Sequence, residues 1–348
     1  MSTLRTLVLA ALLAVGGGLR SQETAPLPAR LTLTEAKRIA LAGNPGIEAL
    51  LARVRAAEAV VRQARSALAP QVSASAAALY LQDVPLADGN TDGVMLYQAG
   101  LTANWLLFDG FAGRFRVAAA AAGSDVSLAE WHDGQRLLAQ GVASAFLNCL
   151  LAAEAARVDE RDAEFNRELL AEAEKRLAAG AGARVDVLNF RVRVRSAENE
   201  LLGIRRDLRA GRQTLAALLG LPTAELPEQT ALVPPDGTAA RPLPSADQAI
   251  AIAYARRPDL LRYQHALSQL DATVAARRAD YRPRLAAQSS YAVERAENPR
   301  FNDDRDASSF VGLGLTWDLY DGGRRAGAVS IKDAGDDPDI TDGCTVVA

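Results

Sequence analysis

Apolar residues recur along this chain with two different periods, and each period appears twice. From Pro45, the residues Ile47, Leu50, Val54, Ala57, Val61, Ala64 and Leu68 fall at alternating steps of three and four, the stripe of a helix that packs on neighbouring helices. Asn44 stands where an N-cap belongs, and Pro45 stands at the first helical position. After Pro70 the period drops to two. Tyr97, Ala99, Leu101, Ala103, Trp105 and Leu107 then face one way, with Gln98, Gly100, Thr102 and Asn104 facing the other. A weaker strand, Val72–Leu81, precedes this one, and the polar stretch Asp83–Val94 joins the two as a hairpin.

The whole order repeats. Ala36, Ile39, Pro45 and Pro70 have counterparts in Ala249, Ile252, Pro258 and Pro283, which marks duplication of a large unit rather than a short solenoid repeat. The second helical stripe reads Leu260, Tyr263, Leu267, Leu270, Val274, Arg277 and Tyr281, with Arg277 alone out of character. In the second hairpin, Leu285–Glu294 leads through the polar loop Arg295–Ser308 to a strand. There Val311, Leu313, Leu315, Trp317 and Leu319 oppose Gly312, Gly314, Thr316 and Asp318. Strands of roughly ten residues suit a tilted bilayer crossing. Alternation alone also fits a soluble sandwich, but four strands split between long helices make a poor one. The expectation is α+β, with two membrane hairpins per chain contributing to a barrel shared by several chains.

Each hairpin leaves through the same residues: Leu101, Trp105, Leu107, Asp109 and Gly110 recur as Leu313, Trp317, Leu319, Asp321 and Gly322. Gly110 and Gly322 tolerate a sharp corner, Asp109 and Asp321 can accept from exposed helix N–H groups, and Trp105 and Trp317 suit a membrane interface. A core Trp before an ordinary Asp-Gly turn would read the same way. Beyond Gly110 a helical tract runs to about Ala179, roughly 100 Å at 1.5 Å per residue. Gly180-Ala181-Gly182 breaks it. A return helix places Val187, Val194, Leu201, Leu208 and Leu215 every seventh residue, and a proline-rich linker over 222–244 follows.

Composition and charge narrow the function classes. The 348 residues are 49% hydrophobic and 23% charged, enough for a sizeable core. Net charge is −3, so no nucleic-acid partner is implied. Cys149 and Cys344 make no disulfide framework and have no metal-ligand spacing. His132 and His265 stand alone and read as ordinary helix residues, and Arg191, Arg193 and Arg195 read as a solvated helix face. No paired histidines, phosphate loop or nucleophile elbow appears, so neither catalysis nor a cofactor is expected. At the start, Arg5 precedes the apolar run Leu7–Val15 and then Gly16-Gly17-Gly18, the layout of a secretory signal over residues 1–20. Beyond it no apolar run long enough for a membrane helix stands out, so any membrane element is expected to be a barrel.

Taken together, the duplicated helix–hairpin–helix unit, the paired Trp-x-Leu-aromatic-Asp-Gly exits and the tip RLAAGAGARVDVL (Arg176–Leu188) resemble the TolC family of outer-membrane channels. The tip matches the family pattern at Arg176, Gly180, Asp186, Val187 and Leu188, and LAALLGLP (Leu215–Pro222) is also similar. The resemblance covers Leu31 to Gly327. It implies a homotrimer whose chains share one twelve-stranded barrel in outer-membrane lipid, with helices extending as a tunnel into the periplasm. It also implies a passive conduit for efflux or type I secretion, fed by an inner-membrane transporter through a periplasmic adaptor. The adaptor would meet Gly180, Asp186 and Leu188, although a Gly-terminated helix with an Asp in the next first turn needs no partner. A soluble periplasmic coiled-coil scaffold is the competing class.

In domain terms, a first unit spans 31–221 and a second 245–327. After Gly322 the second unit has only Gly323–Ala348 where the first has a long helical hairpin, and 328–348 reads as a disordered or aberrant tail. On this reading the second tunnel hairpin is missing, and a channel without it is expected to be impaired.

Overall fold

The computed structural model describes residues 27–85, 91–227, 229–235, 244–297 and 305–333. The signal-like segment, the loop tips between paired strands, Pro242 in the linker, and the tail beyond Asp333 with Cys344 lie outside the described residues. The elements, in order, are β1 (Arg30–Leu31), α1 (Leu33–Gly43), α2 (Pro45–Ser66), β2 (Gln71–Pro85), β3 (Thr91–Phe108) and α3 (Ala112–Ala178). They continue with α4 (Arg184–Leu218), β4 (Ala231–Leu232), α5 (Ala246–Arg256), α6 (Pro258–Ala279), β5 (Arg284–Glu297), β6 (Arg305–Thr316) and α7 (Arg324–Asp333).

Two compact units result, and they cut across the sequence repeat because α3 contributes to both. Described residues 27–45 with 137–235 form one, and 46–136 with 244–333 form the other. In the first unit, α1 lays Ala36 and Ala40 on Val142, Phe146 and Cys149 of α3, on Leu215 and Ala216 of α4, and on Leu219 just beyond it. Small residues on α1 let the helices approach closely. Burial pushes the Cys149 thiol up, outweighing the Arg212 charge, so it behaves as a small core hydrophobe. The short parallel ladder of β1 with β4 ties the chain start to the linker. Sequence periodicity missed α1 and α5. Both announce themselves by capping boxes, Thr32 with Glu35 and Ser245 with Gln248. Asn44, expected to cap α2, donates its side-chain amide to Leu218 O at 3.0 Å.

The hairpin tip is also in this unit. Val187, Val194, Leu201 and Leu215 on α4 are buried, in keeping with the seven-residue seam. Three ion pairs stitch α3 to α4: Arg167–Glu198, Arg191–Glu174 and Arg205–Glu160. They lie on the surface, where solvent screening keeps each of them weak.

The second unit contains a four-stranded antiparallel sheet in which two hairpins lie side by side, in the order β2-β3-β5-β6. The strands are longer than the sequence period indicates, at 15, 18, 14 and 12 residues, because both polar loops continue the ladders towards their tips. Register puts Val72, Leu101, Tyr291 and Leu313 on one face, and Ser73, Thr102, Ser290 and Gly312 on the other. β6 ends at Thr316, so Trp317 and Leu319 lie beyond the strand that was expected to hold them.

Beneath the sheet, α2 and α6 both pack on the first part of α3. The α2 stripe buries Ile47, Val54 and Val61. The α6 stripe does not: Tyr263, Leu267 and Leu270 are exposed, and Ala276 and Ala279 are buried instead. The helix that follows this hairpin, α7, is described over Arg324–Asp333. It runs into the stretch expected to be a disordered tail.

Candidate functional site

Two places carry the sequence-predicted residues: the strand-to-helix corners in one unit and the hairpin tip in the other. At the first corner β3 carries an irregularity between Leu106 and Phe108. The chain then turns through Gly110 (φ 68°) and Phe111 (φ 71°) into α3. Asp109 is buried, and its Oδ2 accepts from Gly113 N at 2.6 Å, so it holds one of the orphan donors at the start of α3. At the second corner Gly322 (φ 67°) and Gly323 (φ 90°) make the turn. Asp321 accepts there from Gly323 N and from Arg325 N and Nε, at 3.2, 3.1 and 2.7 Å. Burial pushes the Asp321 carboxyl up, but the Arg325 hydrogen bonds and charge outweigh it and hold the group below its ordinary value.

The two tryptophans do equivalent work. Trp105 Nε1 donates to Leu68 O at 3.1 Å and Trp317 Nε1 donates to Tyr281 O at 3.0 Å. In each copy the indole fastens the departing strand end to the turn that brought the chain in from the preceding helix. Both rings stay about half exposed.

The corners are more elaborate than Trp, Asp and Gly alone. Arg282 donates to Gly110 O at 3.0 Å and its side chain crowds that glycine: a Cβ there would meet Arg282 Cβ at 2.6 Å. Asp280 gathers Arg116 at 3.3 Å and Arg284 at 2.9 Å, while Arg116 also reaches Asp109 at 3.5 Å. Arg325 is nearly buried, bound to Asp321 and lying over the Tyr281 ring. Sequence reasoning missed Asp280, Arg282 and Arg325. Their signal was a departure from the repeat, since the first copy has Ala67, Ala69 and Gly113 at the matching positions.

At the tip, α3 ends in a Schellman turn. Gly180 (φ 70°) donates to Leu177 O and Ala181 donates to Arg176 O, which satisfies the last carbonyls. Ala183 opens α4 without a side-chain cap, and Asp186 lies in the first turn, where a carboxylate favours the helix dipole. Val187 turns inward while Leu188 is half exposed. A small cleft of 170 Å³ opens at the tip, lined in part by Glu172, Arg176, Asp186 and Phe190. Corners and tip belong to different units. Among the described residues no group of acids, cysteines or histidines is arranged to hold a metal ion.

The sequence profile of a family described as outer membrane efflux protein matches residues 38–221 and 249–335, taking in both corners and the tip. The chain belongs to this family. Its localisation is that of the family, the outer membrane. A curated relative, the outer membrane efflux protein BepC of Brucella suis, is 30% identical over 301 residues, covering 86% of this chain and 62% of BepC. This chain therefore spans less than two thirds of that relative. The CmeC outer membrane channel of Campylobacter jejuni superposes with a TM-score of 0.75 at 16% identity, covering 89% of this chain and 66% of CmeC. A membrane protein from Pseudomonas aeruginosa gives 0.72 at 23%, covering 87% and 70%. These structural likenesses carry the fold, and the family match carries the resemblance drawn from the sequence.

Proposed function

We propose that this chain is the outer-membrane component of a tripartite efflux or type I secretion system, a passive conduit that performs no chemistry on what it passes. The observation that carries the reading is the sheet. Its apolar face holds Val72, Leu101, Val311, Leu313 and Leu315, each more than half exposed, and the opposite face is mixed, with Gln71, Ser73, Thr102, Asn104, Gln288 and Ser290 beside Leu79 and Phe310. Tyr80, Tyr97 and Tyr291 lie along the apolar face and Trp105 near its other end. An apolar band bounded by aromatic residues is what lipid requires of a barrel wall. Exposed ladder edges are the other half of the case. Among the described residues β2 and β6 have no outer partners, and only closure against further strands removes such edges from a membrane.

The helix α3 is the one described element that is also long and apolar enough to cross a bilayer. It supplies Val142, Phe146 and Cys149 to a buried core, whereas the apolar face of the sheet is covered by nothing described. The sheet is therefore the better membrane element. The efflux reading adds three copies sharing one barrel, an inner-membrane transporter, and a periplasmic adaptor at Gly180, Asp186 and Leu188. Exposure of Leu188, with Asp186 lining the tip cleft, supports that placement of the adaptor.

The test is purification of the full chain from outer membranes. Heat-modifiable, SDS-resistant trimers that conduct ions in planar bilayers are expected. Recovery as a soluble periplasmic protein without conductance would replace this reading with the coiled-coil scaffold.

A further inference from the structure

The corners carry more positive charge than their carboxylates balance. Segments 64–71, 108–116, 277–284 and 318–325 contain nine arginines, four aspartates, and no lysine or glutamate, in a chain whose net charge is −3. Asp109, Asp280 and Asp321 are each engaged by Arg116, Arg284 or Arg325. Arg65 and Arg114 are exposed with no carboxylate partner among the described residues, Arg114 lying over the Phe111 ring, and Arg324, also exposed, has Asp321 only at 3.9 Å. Helix stability does not account for them. Arg114 and Arg324 lie in the first turns of α3 and α7, which hold no acidic residue, although that end of a helix repels cations. Their level is set by Trp105 and Trp317, whose half-exposed indoles mark where the apolar face of the sheet gives out.

We propose that this arginine collar binds the phosphates of anionic phospholipid headgroups in the leaflet facing the periplasm. The inference rests on the sheet being the membrane element. Guanidinium groups match phosphate oxygens in bidentate geometry, and the apolar face directly above would hold the acyl chains of the same lipid. Seated this way, the collar fixes how deep the barrel lies and holds the corners at the headgroup layer.

The test titrates the detergent-purified full chain with phosphatidylglycerol or phosphatidylcholine of one chain length, following tryptophan fluorescence. Phosphatidylglycerol is expected to bind about tenfold more tightly, an advantage that high salt reduces. The triple variant Arg65→Gln, Arg114→Gln, Arg324→Gln is expected to bring that advantage below about twofold while phosphatidylcholine binding is unchanged. Equal binding of the two lipids by the native chain, or an undiminished advantage in the variant, overturns the collar and leaves the membrane reading standing. Binding of neither lipid overturns both. Displacement of phosphatidylglycerol by millimolar inorganic phosphate would make this a free-phosphate site and also overturn the lipid assignment.

Discussion

Gly110 and Gly322 occupy the same place in the repeat, with φ of 68° and 67°, yet their surroundings differ. A methyl at Gly110 would meet Arg282 Cβ at 2.6 Å and Ala279 O at 2.8 Å, whereas one at Gly322 would meet nothing within 4 Å. Gly322→Ala should therefore cost only the left-handed backbone penalty, about 1 kcal/mol. Gly110→Ala adds overpacking against a backbone carbonyl and should cost about 3 kcal/mol or more. Thermal unfolding of the two variants checks the difference. Asp321 gives a pH signature. Its carboxyl titrates below the ordinary value of 3.8, so its contribution is full above that value and is lost as pH falls through the lowered one. Asp321→Asn should lower stability at pH 7 and flatten the acid limb of the stability–pH curve. Glycine and aspartate at the corner were legible in the sequence because an Asp-Gly exit has a simple backbone meaning. The arginines were not, because a guanidinium that finds its partner on another element leaves no local pattern.

Helix stripes show the same division between what a sequence states locally and what neighbours decide. The α2 and α6 stripes look alike in sequence, but packing covers only the first. Val54 is 6% exposed and Leu267 is 53% exposed. Val54→Ala should thus cost about 1–2 kcal/mol, and Leu267→Ala less than about 0.5, measured by denaturant unfolding. Periodicity located both stripes, but which side of α6 is buried depends on what stands beside it. Residues 260–274 do not encode that. Helices α1 and α5 were missed for a related reason. At eleven residues each, their apolar stripes are too short to stand out, and the capping boxes at Thr32 and Ser245 are the stronger signal. The tip was legible through its glycines, since Gly180 ends α3 by a motif that depends on local backbone geometry alone.

At the scale of the whole molecule, the two faces of the sheet make the sharpest demand. Leu101 and Thr102 are neighbours on β3 with opposite orientations, one paired between Ala74 and Tyr291, the other between Ser73 and Ser290. If the apolar face meets lipid and the polar face meets water, one charge placed at each must act oppositely. Leu101→Arg puts a guanidinium into hydrocarbon, which costs about 2–4 kcal/mol near the midplane of a barrel wall. A trimer would multiply that cost by three, enough to block assembly. Thr102→Arg meets water and should leave the heat-modifiable trimer intact while shifting ion selectivity in planar bilayers, because lining charge controls what a pore admits. In a soluble scaffold the order reverses or vanishes. Both faces would then meet water, and Leu101→Arg would be tolerated as well as Thr102→Arg. Gel mobility of the two variants from the same membrane preparation separates these outcomes, since the substitutions share strand, chemistry and near-identical depth and differ only in the direction the side chain points.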